Sequence, residues 1–221
     1  MYNKKMSFAL KAFYSENHKE RNLLGTSWRF ESRRKLINSI LNSWEHSNKI
    51  VNFLDIGSRD GSFINELNFP YKTTAIDIDP TALFKYKILF PKVIVKILDC
   101  NENFPFKNES YDLIFAGEII KHLINPDQFL SEINRILKPG GLFIGSTPNA
   151  FRYDKRIKLL MGNDPKTFSD KTHTQYFSFN SLKNKLENYF SKVIICNHPT
   201  NLLNKYFYKL TSSGFIWQAQ K

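Results

Sequence analysis

"FLDIGSRDGSF" (residues 53–63) carries an apolar run through Asp55 into a loop framed by Gly57 and Gly61. Glycine permits the backbone conformations that a tight turn and a close approach to a ligand require. A helix starting after such a loop presents unpaired N–H groups, a ready seat for a polar ligand. An ordinary strand-to-helix turn would use the same residue types, so the flanks decide. Upstream, "IVNFLDI" (50–56) reads as a strand, and downstream "SFINEL" (62–67) can start a helix. "KTTAIDI" (72–78) is a β-branched second strand ending at Asp77, twenty-two positions after Asp55. In a nucleotide-binding α/β unit an acid at that point binds ribose hydroxyls.

The same rhythm continues outward. "PTALFKYKILF" (80–90) opens with proline, which costs nothing at the first position of a helix. "KVIVKIL" (92–98) and "YDLIFAG" (111–117) read as the third and fourth strands, "PDQFLSEINRIL" (126–137) as a helix broken by "KPGG" (138–141), and "GLFIGST" (141–147) as the fifth strand. Such alternation implies a doubly wound α/β fold with helices on both faces of a mostly parallel sheet. "WRFESRRKLINSILNSW" (28–44) reads as an amphipathic helix. Residues 149–178 contain no convincing strand and look like a lid or insertion. "FNSLKNKLENYF" (179–190) reads as a helix starting near Asn180 or Ser181, and "SKVIICN" (191–197) and "SGFIWQAQ" (213–220) as final strands.

The 221 residues suit one domain, divided into an N-terminal helical lid (1–49), a core (50–148), a substrate-side insertion (149–178) and a C-terminal helix with strands (179–221). No apolar run approaches the ~20 residues of a membrane span. The N-terminal residues lack the pattern of a signal peptide. Cys100 and Cys196 are far apart, without the C-x-x-C spacing of a zinc site or a disulfide framework. A reducing, cytoplasmic setting is therefore expected. Charge is concentrated at the ends: +6 over 1–50, −2 over 51–150 and +8 over 151–221. Either compositional bias toward lysine or an anionic substrate meeting the flanks accounts for this.

Taken in order, these motifs resemble those of the class I S-adenosylmethionine-dependent methyltransferases, within the small-molecule group that acts on quinone precursors and sugars. "LDIGSRDG" is similar to the family's first motif and "AIDIDP" to its second. "ILDCNENFPFKNESYDLIFAGEIIKHLINP" resembles the third and fourth, and "ILKPGGLFIGSTPN" the sixth. A dinucleotide dehydrogenase would carry a fuller G-x-G-x-x-G. The resemblance implies a seven-stranded sheet with one antiparallel strand, and S-adenosyl-L-methionine as cofactor, released as S-adenosyl-L-homocysteine. It implies that Asp55, Gly57, Ser58, Arg59 and Gly61 cradle the cofactor's amino-acid portion. Asp77 would bind the ribose, Ile78 would lie against the adenine, and Asp99 would accept from the adenine amino group beside Cys100. Ala116, Gly117 and Glu118 would line the pocket. Arg59 departs from the pattern, because the family has a glycine there.

"GEIIKHL" (117–123) places Glu118 and His122 four residues apart, on one face if the segment is helical. A related group of RNA 2′-O-methyltransferases holds Mg²⁺ with Glu-x-x-Glu-His. Here Lys121 replaces the second acid and would repel the metal, so no metal site is expected. A packed helical turn, or His122 as a base or substrate contact, remain the open readings. "KTHTQYFSF" (171–179) offers His173 and Tyr176 as a second catalytic pair, against a plain lid loop. Tyr14 and Trp28 could close over the cofactor or simply pack in the core. The expected reaction is O-methylation of a small or carrier-linked, anionic acceptor, such as a sugar, lipid or glycan precursor. The alternatives are an RNA 2′-O-methyltransferase and an inactive cofactor-binding scaffold. DNA is not an expected partner, and RNA remains an open one.

Overall fold

In the computed structural model the described residues are 28–44, 51–59, 61, 71–197 and 204–221. The expected helix at 62–67 and Tyr14 lie outside them, as do the side chains of Trp28 and Arg29. Helix α1 (Trp28–Ser43) precedes β1 (Val51–Ile56) and β2 (Tyr71–Asp77). Next come α2 (Pro80–Leu89), β3 (Ile94–Ile97), β4 (Tyr111–Gly117), a 3₁₀ turn (Ile120–His122), α3 (Pro126–Ile136) and β5 (Leu137–Pro148). Helices α4 (Tyr153–Leu160), α5 (Lys166–Ser169) and α6 (Phe179–Glu187) lead to β6 (Lys192–Asn197), α7 (Asn204–Thr211) and β7 (Gly214–Gln220).

The seven strands form one sheet in the order β3-β2-β1-β4-β5-β7-β6. Strands β1 to β5 run parallel, and β7 is antiparallel to both β5 and β6. This is the mostly parallel sheet with one antiparallel strand that the sequence implies. Chain order reverses between β1 and β4. In such sheets the usual ligand position lies at this reversal, beyond the carboxyl ends of the strands.

Strand side chains alternate between faces, and adjacent residues accordingly enter different cores. Leu54, Ile114 and Phe143 join α3 and α6 on one side, through Phe129, Leu130, Ile133, Leu182 and Leu186. Phe53, Leu113 and Ile144 meet Ile37, Ile40 and Leu41 of α1 on the other. The helices start where side chains satisfy their free N–H groups. Asp79 accepts from Thr81 N at 2.9 Å ahead of α2, and Asn125 accepts from Gln128 N at 3.2 Å ahead of α3. Ser178 and Ser181 form a reciprocal capping box on α6, so its cap precedes the expected start.

Two segments depart from the sequence reading. "KPGG" was expected only to separate helix from strand, yet β5 already begins at Leu137. A register irregularity between Tyr111 and Leu113 accommodates it, with Gly140 in the left-handed region at φ 72°. Lys138 Nζ lies 2.8 Å from both oxygens of Asp112 and pins this bulge to β4. Residues 149–178 contain two helices, and α7 was not anticipated at all.

Gly145 on β5 lies against the fully buried indole of Trp217 on β7, and a Cβ there would overlap the ring. Gly145→Ala should therefore lower the unfolding free energy by about 1–3 kcal/mol, the usual range for overpacking. Urea denaturation measures this. An unchanged midpoint would contradict the described β5–β7 packing.

Candidate active site

The loop after β1 is held by backbone geometry that glycine tolerates. Gly57 and Gly61 have φ of 66° and 72°. A Cβ on Gly57 would overlap the Ile119 side chain, and one on Gly61 would run into the Tyr86 ring. Arg59 is also left-handed, at φ 48°. Its backbone N–H donates to Asp77 Oδ2 at 2.9 Å, which offsets the strain of a non-glycine residue there. Asp79 N donates to Asp77 Oδ1 at 2.9 Å. The Asp77 carboxylate thus ties the β1 loop to the end of β2.

Beneath the loop, Asp55 is buried, and its carboxyl pKa is pushed well up by desolvation and then by the charge of Asp77. The Tyr86 hydroxyl hydrogen-bonds to it and partly opposes this. Asp55 Oδ2 and Ser58 Oγ are buried polar atoms with no hydrogen-bond partner among the described residues. After β3, Asp99 Oδ1 accepts from Asn101 N and Nδ2, both at 2.9 Å. Burial, then Asp77 and Asp99, push the Cys100 thiol up, which places the three groups in one field. Ile78 is half-buried beside Asp77. Residues expected at the cofactor from β1, β2 and β3 therefore converge on one end of the sheet.

Ala116 and Gly117 end β4, and Glu118 follows in the left-handed region at φ 62°. The expected shared helical face of Glu118 and His122 is corrected here. Glu118 is not helical, and only Ile120–His122 forms a 3₁₀ turn. The reason is the partners of Glu118. Its N–H donates to Ser146 O at 2.9 Å, and its Oε1 accepts from Ser146 Oγ at 3.0 Å. Arg33 of α1 reaches Oε1 at 3.0 Å, and Lys121 Nζ reaches Oε2 at 2.8 Å. Burial would raise this carboxyl, but Lys121 and Arg33 outweigh it and hold the pKa at about 2.

The two candidate histidines come together, with ring centroids 5.1 Å apart. His122 Nδ1 lies 2.8 Å from Thr172 O, and His173 Nδ1 lies 3.0 Å from Thr167 O. A carbonyl partner requires the proton on Nδ1, so each ring carries its lone pair on Nε2. Burial lowers the His122 pKa to about 4 and lowers that of His173, with Lys121 adding to both shifts. Tyr176 stacks on Phe168 at 4.6 Å, and its hydroxyl lies 3.4 Å from the carbonyls of Phe168 and His173. Tyr176 therefore packs the lid segment that carries His173.

The basic flanks divide into spent and available cations. Arg152 is engaged by both oxygens of Asp154 at 2.6 and 2.7 Å, and Arg156 Nε donates to Phe151 O at 2.8 Å. Lys155 points inward to Asn149 O at 2.6 Å. Burial pushes its ammonium down to about 8, and it lies within the fields of Lys121 and Glu118. Arg33 and Lys121 thus share one carboxylate, and Lys155 adds positive charge to the same field. Sequence reasoning missed Tyr86, Ser146 and the inward turn of Lys155, because each acts through a contact distant in sequence. No three His, Cys, Asp or Glu side chains among the described residues are placed to share a metal ion.

A family model described as a methyltransferase domain matches residues 11–189. The chain belongs to the class I S-adenosylmethionine-dependent methyltransferases. A probable S-adenosylmethionine-dependent methyltransferase of Mycolicibacterium smegmatis is 30% identical over 116 residues, which cover 52% of this chain and 42% of that protein. A sterol 4-C-methyltransferase of Caenorhabditis elegans is 31% identical over 101 residues, covering 42% of this chain and 30% of its own length. The chain thus spans less than half of either relative. Among solved structures, a methyltransferase of Thermotoga maritima, described as a possible histamine N-methyltransferase, shares the fold. It has a TM-score of 0.63 at 16% identity, over 93% of this chain and 95% of that one.

The histidine geometry has a pH signature. His122 has its folded pKa below the ordinary value of 6.5, so the stability it contributes is present above pH 6.5 and lost as pH falls toward about 4. Resolved imidazole resonances in an NMR titration should place His122 near 4, neutral at pH 7. A midpoint at or above 6.5 would contradict its burial and its bond to Thr172.

Proposed function

We propose that this methyltransferase-family chain methylates an oxygen of an anionic, small or carrier-linked acceptor. The cofactor supplies an electrophilic methyl on a sulfonium and leaves as S-adenosyl-L-homocysteine. The residues present suit it. Asp55 Oδ2 and Ser58 Oγ have no hydrogen-bond partner among the described residues, and a Cβ at Gly57 or Gly61 would run into Ile119 or Tyr86. This supports Asp55, Gly57, Ser58, Arg59 and Gly61 as the seat of the amino-acid portion. An acid at the end of β2, as Asp77 is, suits ribose hydroxyls, with Ile78, Asp99 and Cys100 toward the base. Ala116, Gly117 and Glu118 form the opposite wall.

The observation that carries the acceptor class is the pair of cations, Arg33 and Lys121, on the single carboxylate of Glu118. Lys155 adds positive charge to the same field, and a partly buried excess of positive charge attracts an anion. The reaction needs the acceptor oxygen aligned and its proton removed. His173, neutral and with its lone pair on Nε2, is the base in this reading. His122 stacks against it, and Tyr176 holds its segment. The pairing of Glu118 with two cations weighs against the metal-dependent RNA reading.

Two measurements test this. Calorimetry with S-adenosyl-L-homocysteine should show binding that Asp77→Ala weakens by ~1.5–3 kcal/mol, the worth of hydrogen bonds to a charged group. Unchanged affinity would remove Asp77 from the ribose site. For the acceptor, the protein and labelled cofactor should be incubated with polar and lipid extracts, and the products treated with hydriodic acid. Acid-released label marks O-methylation, and retained label marks the carbon methylation of the sterol relative. Once an acceptor is found, Lys155→Ala should raise its KM and leave kcat largely intact. His173→Ala should lower kcat by ~10²–10⁴-fold.

A further inference from the structure

Helix α4 turns its apolar side outward. Tyr153, Ile157, Leu160 and Met161 recur at helical spacing and are 47%, 50%, 88% and 70% exposed. None of the α4 residues is buried. A helix of a globular domain normally hides such a stripe against the core. Here the inward contact is polar instead, with Lys155 Nζ on Asn149 O.

A second helix displays the same chemistry beside it. On α7, Tyr206, Phe207 and Leu210 are 75%, 61% and 39% exposed. Asn149 joins the two helices: its Nδ2 donates to Lys209 O and Ser212 O, each at 3.1 Å, and its N–H donates to Ser213 O at 3.1 Å. Both helices therefore stand on the rim beyond the carboxyl end of β5, where Asn149 lies three residues after Ser146, which holds Glu118. Basic residues flank the apolar ones. Arg156, Lys158 and Lys166 are exposed, and residues 151–221 carry twelve Lys+Arg against four Asp+Glu.

We infer that the α4–α7 rim is an anionic-membrane docking surface that brings the active-site mouth to the lipid headgroups. Outward Leu, Met, Tyr and Phe interleaved with Lys and Arg form the pattern of a helix lying in the interface. The apolar side chains enter the acyl boundary, while the cations meet acidic headgroups. Charge complementarity selects an anionic lipid surface over a neutral one. No described helix is long and apolar enough to span a membrane, so the contact is peripheral. The inference goes beyond the methyl-transfer reading, because docking is measured without cofactor or acceptor. Failure of one therefore leaves the other standing.

Flotation with vesicles tests it, using phosphatidylcholine alone and phosphatidylcholine mixed with phosphatidylglycerol. The protein should float with the anionic vesicles, remain behind with neutral ones, and be released by salt. Leu160→Glu and Phe207→Glu should each reduce the floated fraction at least tenfold. Both sites are solvent-exposed, and circular dichroism and the unfolding midpoint should match wild type. Phe84→Glu, at an exposed position on α2 by the β2–β3 edge, should leave flotation unchanged and controls for general stickiness. Absence of flotation with anionic vesicles overturns the inference, as does flotation insensitive to Leu160→Glu and Phe207→Glu. So does a rim that instead binds single-stranded RNA, or whose substitutions only dissociate a dimer in light scattering.

Discussion

The carboxylate of Glu118 is the contact on which the arrangement around the end of β4 depends. It draws Arg33 of α1 and Lys121 of the turn after β4 to one point, and it accepts from Ser146 on β5. Three separate parts of the chain are therefore fixed relative to the end of β4 by one side chain. The position of Glu118 in the left-handed region is a cost accepted for that convergence. The acid is only half-buried, and its charge and hydrogen bonds in turn hold the cations in place.

At the end of β2, Asp77 plays a corresponding role. It bonds the backbone N–H of Arg59 and of Asp79, closing the β1 loop over the end of β2. Strands β2 and β4 flank β1 in the sheet, so Asp77 and Glu118 follow strands on either side of it. In the sequence, the central segment is slightly acidic and both flanks are basic.

Most of the sheet was legible because its strands carry local signals. β4 spans the predicted residues 111–117, and α3 follows from Pro126 and its helical apolar spacing. The convergence of Asp55, Asp77 and Asp99 follows from strand order alone. What the sequence concealed depends on contacts across the fold. Glu118 and His122 have helical spacing, but Ser146, twenty-eight residues away, redirects the backbone. "KPGG" looks like a break, yet the Lys138–Asp112 contact keeps it within the sheet. Helix α4 was unreadable for another reason: its apolar stripe faces outward, so no core partner distinguishes it from a loop. The basic C-terminal flank looked like the source of cations for an anionic acceptor, but local partners engage Arg152 and Arg156, while Lys155 turns inward.

The central claim is that one crevice, bounded by the ends of β1, β2, β3 and β4, receives the cofactor without involving the α4 rim. Hydrogen–deuterium exchange with and without S-adenosyl-L-homocysteine tests it most directly. The account predicts slowed exchange in peptides covering Gly57–Arg59, Asp77–Asp79, Asp99–Asn101 and Ala116–Glu118, and unchanged exchange over Tyr153–Leu160. Protection confined to other segments, or none at saturating ligand, would contradict it.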